Sequence, residues 1–378
     1  VLALGRQRLY QIRLGYEDAN DADTLRFDPA LKLAVGRTPS EPDLASQPTL
    51  SRLEHQVGWH GCWRMSEALL EGYLQRHQAS PPTRLVLDVD ATDGSTHGQQ
   101  ELSFYHGFCE THRYLPLLVF AQAEGSGEQE LLCAVLRPGN AHAGQRAMAV
   151  LRRVVTRLRQ AFPECQIELR ADSGLALPEI HDGCEALALL YTISLPRNER
   201  LEALAQPWLR DALAIYEETA ETVQVFGECR YATRSCSHLR RATVKAGVMT
   251  QGISLRFAIT SDPDLSPRER YVFYCQRGDP ENRIKELKQG LAMDRLSCHR
   301  FWANRFRLLL HAAAYVLFQQ LRALLAGTEL ATARVETLRL RLLKVGPRVR
   351  ESVRRVWVQL PQAYRGMAYW QRVAEASG

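Results

Sequence analysis

The sequence lacks the marks of several common protein classes. It has no apolar run long enough to cross a bilayer. The best, Leu308 to Leu317, is interrupted by His311 and flanked by Arg307 and Gln319, far short of the roughly 18–20 apolar residues a span needs. The start does not read as a signal peptide, because Arg6, Arg8 and Arg13 interrupt every apolar stretch. No two of the nine cysteines are spaced C-x-x-C, and none forms a zinc pattern with the eleven histidines. They read as reduced, buried thiols of a cytoplasmic protein with no membrane partner. There is no G-x-x-x-x-G-K-[ST], no G-x-G-x-x-G after a strand, no H-E-x-x-H and no G-x-S-x-G, which removes the familiar phosphate-loop, dinucleotide, metallopeptidase and serine-hydrolase sites. Internal repeats and low-complexity tracts are absent too. Neither sign of charge dominates: 48 Lys plus Arg against 42 Asp plus Glu leave +6, a mild excess compatible with a polyanionic partner.

What is present is enough apolar material for a packed core, 46% hydrophobic against 24% charged over 378 residues, and enough length for two or three units. Val1 in place of Met suggests a fragment or a processed chain. Residues 1–80 read as a helical N-terminal region; 51–78 carries helical periodicity, opened by an expected capping box of Ser51 and Glu54 and closed by Pro81-Pro82. Residues 81–198 read as the first part of a core, with strands over 83–92, 103–109, 114–121, 131–137, 166–172 and 186–194 and an amphipathic helix over 141–162. That order predicts a mixed α/β sheet. Residues 199–265 break the pattern with a helix followed by stretches that predict an antiparallel β insertion. The core resumes over 266–330. In 331–378, the segments 336–345 and 352–360 alternate apolar and basic residues, which predicts a terminal β pairing with an arginine-lined face.

The candidate chemistry lies in acids at strand ends. Asp88 and Asp90 sit within an apolar strand, where a carboxylate is costly unless paired or bound to a metal, and Asp93 follows in the loop. Asp172 ends a second strand. In the run YCQRGDPENRIKELK (274–288), Tyr274, Arg277, Glu281 and Lys288 fall within roughly 60° of one another on an ideal helix. Pro280 complicates that face. It either kinks a continuous helix or stands at the first position of one capped by Asp279. A salt-bridged solvated helix, with Glu281 against Lys285, is the plainer alternative.

Taken together, LVLDVDATDGSTHGQQE (85–101), LLCAVLRPGNAHAG (131–144), LRADSGLA (169–176) and the Y-x2-R-x3-E-x6-K spacing at 274–288 resemble the DDE-type insertion-sequence transposases with the Y-R-E-K signature, and in particular the insertion sequence thirteen-eighty family. The stretches 14–37, LRLRLLKVG and VRRVWVQLP share the likeness, which runs over essentially the whole chain. The resemblance implies a ribonuclease H-like core with a β domain inserted between the second and third catalytic acids. The intervals of 82 positions from Asp90 to Asp172 and 109 from Asp172 to Glu281 leave room for it.

It further implies Asp90, Asp172 and Glu281 as catalytic and metal-binding residues, with Asp88, Asp93 and Glu286 as rivals. Mg²⁺ is the expected cofactor, with Mn²⁺ as substitute, and Tyr274, Arg277 and Lys288 are the expected DNA-phosphate contacts, the two cations lying at the rim. Two hard cations held by carboxylates suit phosphodiester cleavage. The implied partners are double-stranded DNA, both terminal repeats and target, and a second copy on paired ends. The implied reaction cleaves element ends, by the group's usual route through a hairpin end, and joins the 3′ hydroxyl to target DNA. An inactive DNA-binding remnant and a nuclease that only hydrolyses stay as alternatives, and a further N-terminal piece that reads the repeats is expected. Basic residues expected to follow DNA are Arg295, Arg300, Arg305 and Arg307, and the terminal Arg339, Arg341, Arg354 and Arg355.

Overall fold

A computed structural model describes residues 1–107 and 110–377. Its strands are β1 Arg84–Ala91, β2 Gly94–Ser95, β3 Phe104–His106, β4 Thr111–Tyr114, β5 Leu117–Ala123, β6 Gln129–Val135, β7 Gln166–Ala171, β8 Leu190–Leu195, β9 Val223–Tyr231, β10 Arg240–Met249, β11 Gly252–Thr260, β12 Arg348–Glu351 and β13 Val356–Gln359. Its α-helices are α1 Leu2–Leu14, α2 Ala22–Leu25, α3 Pro29–Val35, α4 Gln47–Gln56, α5 Trp59–Arg76, α6 Ala147–Ala161, α7 Pro178–Ala186, α8 Glu199–Thr219, α9 Pro267–Cys275, α10 Gly278–Lys285, α11 Phe301–Leu324, α12 Val335–Leu338 and α13 Met367–Ser377. Among the described residues no helix is long and apolar enough to cross a membrane.

Eight strands form one mixed sheet in the order β6-β5-β1-β7-β8-β11-β10-β9. β1 runs parallel to β7 and β7 to β8, while β5 is antiparallel to both β1 and β6. This is a ribonuclease H-like arrangement. Its physical basis is legible in β1: Leu85, Leu87 and Val89 are fully buried on one face, packed with Met148, Leu151, Val154, Val155 and Leu158 of the amphipathic α6. The opposite side is covered by α9, α10 and the long apolar α11, around which the N-terminal helices gather. A sheet buried on both faces needs such cover.

The antiparallel strands after residue 199 continue the core sheet, because β11 pairs with β8 over Phe257–Thr260. α8, capped by Asn198 accepting from the Leu201 amide at 3.0 Å, lies across them. A Cβ at Gly227 would overlap the indole of Trp208, so the glycine is what lets helix and strand approach.

Four local expectations are corrected. The stretch 51–78 is two helices parted at Val57 and Gly58, and the first begins at Gln47 after Ser46. Ser51 therefore caps nothing, and Glu54 is spent on the buried Arg8 (2.8 Å); a true capping box stands at Ser266 and Glu269. The expected strand over 336–345 is helical, α12 followed by a π turn over Arg339–Leu343. L-R-L-R-L-L satisfies either period, and packing of Val335, Leu338 and Leu342 into the core decides it. The terminal pairing is instead β12 with β13, joined through Ser352–Arg355. Of the strand expected over 103–109, Phe108 and Cys109 lie outside the described residues.

Candidate active site

The parallel register of β1 and β7 ends at Val89 opposite Ala171, so the next residue of each strand, Asp90 and Asp172, emerges at the same end of the sheet. Asp90 is 8% exposed. Asp172 leads into a 3₁₀ turn over Ser173–Leu175 and accepts from the Gly174 amide at 2.9 Å.

The third acid arrives through α9, which two buried arginines fasten to the sheet. Arg170 on β7 grips Asp88 with Nε and Nη2 (2.7 and 2.8 Å) and donates from Nη1 to the Phe273 carbonyl (2.8 Å). Arg270, in α9 itself, reaches Glu168 at 2.6 Å and pairs with Asp262. Both guanidiniums lie over the Phe273 ring, at 5.0 and 5.2 Å. α9 ends at Cys275; the amides of Gln276 and Arg277 bond three residues back, to the Phe273 and Tyr274 carbonyls (3.3 and 3.0 Å). α10 then starts at Gly278. Pro280 explains the tightened turn, because it has no N–H to offer the Gln276 carbonyl. The single helix face expected for Tyr274, Arg277, Glu281 and Lys288 is thus broken twice, here and by a π turn over Glu286–Gly290. The helix starts one residue before the Asp279 that was the expected cap.

The break puts Arg277 among the acids. Its Nη2 lies 2.9 Å from Asp90 Oδ2 and 3.7 Å from Asp172 Oδ2, and its Nη1 lies 3.3 Å from Glu281 Oε1. One guanidinium therefore touches all three candidate carboxylates. It is buried at their centre, not at the rim where the sequence had it. Burial pushes the Asp90 carboxyl up, Arg277 pulls it down, and Asp172 and Glu281 push it up again, leaving it at about 6. Burial alone would lower Arg277; the acids around it outweigh that and raise it.

Lys288 stands apart, 3.0 Å from Asp93. Burial raises the Asp93 carboxyl, but its bond to Lys288 outweighs this and holds it below the usual range. Tyr274 is half-buried and lines a cavity of about 450 Å³ with Ser173, Arg197, Arg256 and Tyr271. Two rivals are otherwise engaged. Asp88 is closed by Arg170 and by Gln129 Nε2 (2.8 Å). Glu286 takes Arg322, the Tyr315 hydroxyl (2.9 Å) and the Val335 amide (2.8 Å).

Among the described residues, a different trio has all its ligand atoms within 4.8 Å of one another: Asp182, Glu185 and His238. Arg240 already neutralises its acids, at 2.6 Å from Glu185 and in contact with Asp182. Sequence reasoning missed this group and the Asp88–Arg170 pair alike. For the pair a signal was present: each strand carries a charge two places before its end acid, Asp88 in one and Arg170 in the other.

Asp90, Asp172 and Glu281 offer only hard oxygen donors, arranged around a site whose raised Asp90 reflects burial and mutual repulsion. That donor chemistry fits Mg²⁺ or Mn²⁺.

A family model described as "Transposase DDE domain group 1" matches residues 2–376. No curated protein sequence matches the chain. Among solved structures, one titled "Mos1 transposase paired-end complex with left transposon end" aligns at 15% identity and a TM-score of 0.19, covering 52% of this chain and 62% of that one. Another, "Crystal structure of a pre-cleavage Mos1 transpososome", aligns at 14% identity and 0.19, covering 47% and 57%.

Proposed function

The chain belongs to the group 1 DDE transposase-domain family, and from that premise we propose that it cuts DNA at the ends of a mobile element and joins the freed 3′ hydroxyl to target DNA. The observation that carries this reading is the meeting of Asp90, Asp172 and Glu281, far apart in sequence, on the one guanidinium of Arg277. In the proposed reaction water displaces the 3′ oxygen of a phosphodiester, and that oxygen, as a hydroxyl, then attacks a phosphodiester of the target.

Asp90, Asp172 and Glu281 would hold the divalent ions, which when bound supply charge neutralisation at phosphate and a more acidic water. The residues themselves set up the rest. Asp90, which is buried and whose partner acids repel it, gives the site its demand for positive charge. Arg277 meets that demand in the DNA-free protein and presents a planar fork that suits phosphate equally well. Lys288 adds a point charge on the Asp93 side, and Tyr274 lines the adjoining cavity. The spacing of Tyr274, Arg277, Glu281 and Lys288 supports placing the chain with the Y-R-E-K transposases of the insertion sequence thirteen-eighty kind, acting as a homodimer on paired terminal repeats in the cytoplasm.

The test is a labelled duplex carrying the element end, incubated with Mg²⁺ or Mn²⁺ and unlabelled target. Cleaved and joined products are expected from the wild type, and neither from Asp90→Asn, Asp172→Asn or Glu281→Gln. Cleavage without joining identifies a nuclease; DNA binding with neither product identifies a remnant.

A further inference from the structure

The hairpin of β12 and β13 stands on its own two-stranded sheet. Its base is held: the Tyr364 hydroxyl donates to the Arg341 carbonyl at 2.6 Å, and the following α13 contacts α11. The register sorts its side chains by face. Arg348 lies opposite Gln359 and Arg350 opposite Trp357 on one face; Val349 opposite Val358 and Glu351 opposite Val356 lie on the other. Glu351 turns back to the body, accepting from the Ser40 amide and hydroxyl at 2.8 and 2.9 Å, and Val349 and Val356 are half-buried. The arginine and tryptophan face is exposed throughout, Trp357 at 50%. Arg354 and Arg355 are exposed in the connecting turn, beside the fully exposed Val353.

A two-stranded ribbon has little stability of its own in water, and here its outer face is cationic. Among the described residues none of Arg348, Arg350, Arg354 and Arg355 enters an ion pair. The neighbouring arginines differ. Arg339 is spent on the Arg13 and Gly290 carbonyls and Arg341 on Glu329. Of the four terminal arginines expected to follow DNA, Arg339 and Arg341 are thus engaged within the fold, and Arg354 and Arg355 are left on the ribbon.

We infer that this face is a contact for duplex DNA, with the ribbon lying against a groove and its arginines on phosphates. The width of a two-stranded ribbon matches a major groove, and the charge complements a polyanion. The inference rests on the reading of the chain as a DNA-acting enzyme, but it concerns a surface separate from the acids.

The experiment is fluorescence anisotropy of a labelled mixed-sequence duplex titrated with the full chain over a range of salt. Arg350→Ala with Arg354→Ala is expected to lower the salt slope by about 0.9 for each contact removed and to leave the melting temperature unchanged. Arg350→Lys with Arg354→Lys keeps the charge and is expected to retain the slope, which separates lost contacts from lost folding. An alanine variant with unaltered slope and affinity overturns the inference. So does one whose only defect is a dimer that falls apart in sedimentation, since the face would then bind a second copy. A wild type that binds no duplex at low salt removes the parent reading as well; a wild type that binds while the alanine variant binds equally removes the ribbon alone.

Discussion

Asp88 and Asp90 point from the same face of the same strand, two residues apart, and do opposite things. Asp88 is sealed between Arg170 and Gln129, with both carboxylate oxygens taken by groups that are themselves buried. Asp90, at the strand's end, has one close cation, and that cation is shared with two other acids. The first arrangement is closed: a bidentate pair leaves no demand for anything from outside. The second is short of positive charge: burial first, and the neighbouring acids after it, lift its carboxyl to about 6 in spite of Arg277. The same residue type is structural where its charge is balanced inside the fold, and is available for chemistry where it is not.

The comparison breaks most visibly in activity. Asp90→Asn is expected to lower cleavage by about 10²–10³-fold, on the scale of losing a group that stabilises charge in the transition state, while the fold survives. A product-gel time course checks this, and near-normal turnover would move the role to another acid. Asp88→Ala is expected to do the reverse. It leaves Arg170 buried without its counter-charge, a loss of about 3–5 kcal/mol, seen as a lowered urea midpoint.

The pH dependence sharpens the contrast. A carboxyl raised to about 6 in the folded protein, against ~4 unfolded, binds its proton more tightly when folded. Stability therefore falls as pH rises through that window and is level above it, by at most about 3 kcal/mol. Urea melts across the window are expected to show this slope in the wild type and to lose it in Asp90→Asn; an equal slope in both would assign it elsewhere. The smallest effect is at the partly exposed pair of Lys288 and Asp93. Lys288→Met is expected to cost no more than about 1 kcal/mol of stability, with any larger consequence confined to DNA affinity.

The sequence carried the strands that end in Asp90 and Asp172 well, because a run of β-branched and apolar residues bounded by turns has one plausible period. The three acids that its spacing picked out do come together, on Arg277. It did not carry Arg277's position. The expected site had that side chain at the rim, and the tightened turn before Pro280, which has no N–H to donate, brings it to the centre. Nor did it carry the state of residues 336–345, where alternation fitted a strand and long-range burial of Leu338 and Leu342 made a helix. Pairings such as Asp88 with Arg170, 82 positions apart, depend on which strands become neighbours, and local pattern is silent on that.

The π turn over Glu286–Gly290 has a genetic consequence. Its bonds reach one residue further than those of an α-helix, so it is the form a helix takes when a codon has been added and the ends must stay in place. Removing one codon there would let the helix rewind, changing the direction of the side chains inside the turn while the residues beyond it keep their places. Lys288 would swing away from Asp93, whereas Glu281, upstream, would keep its place. Within this segment, then, the acid and the cation are separately heritable: a small insertion or deletion can re-aim Lys288 without moving Glu281.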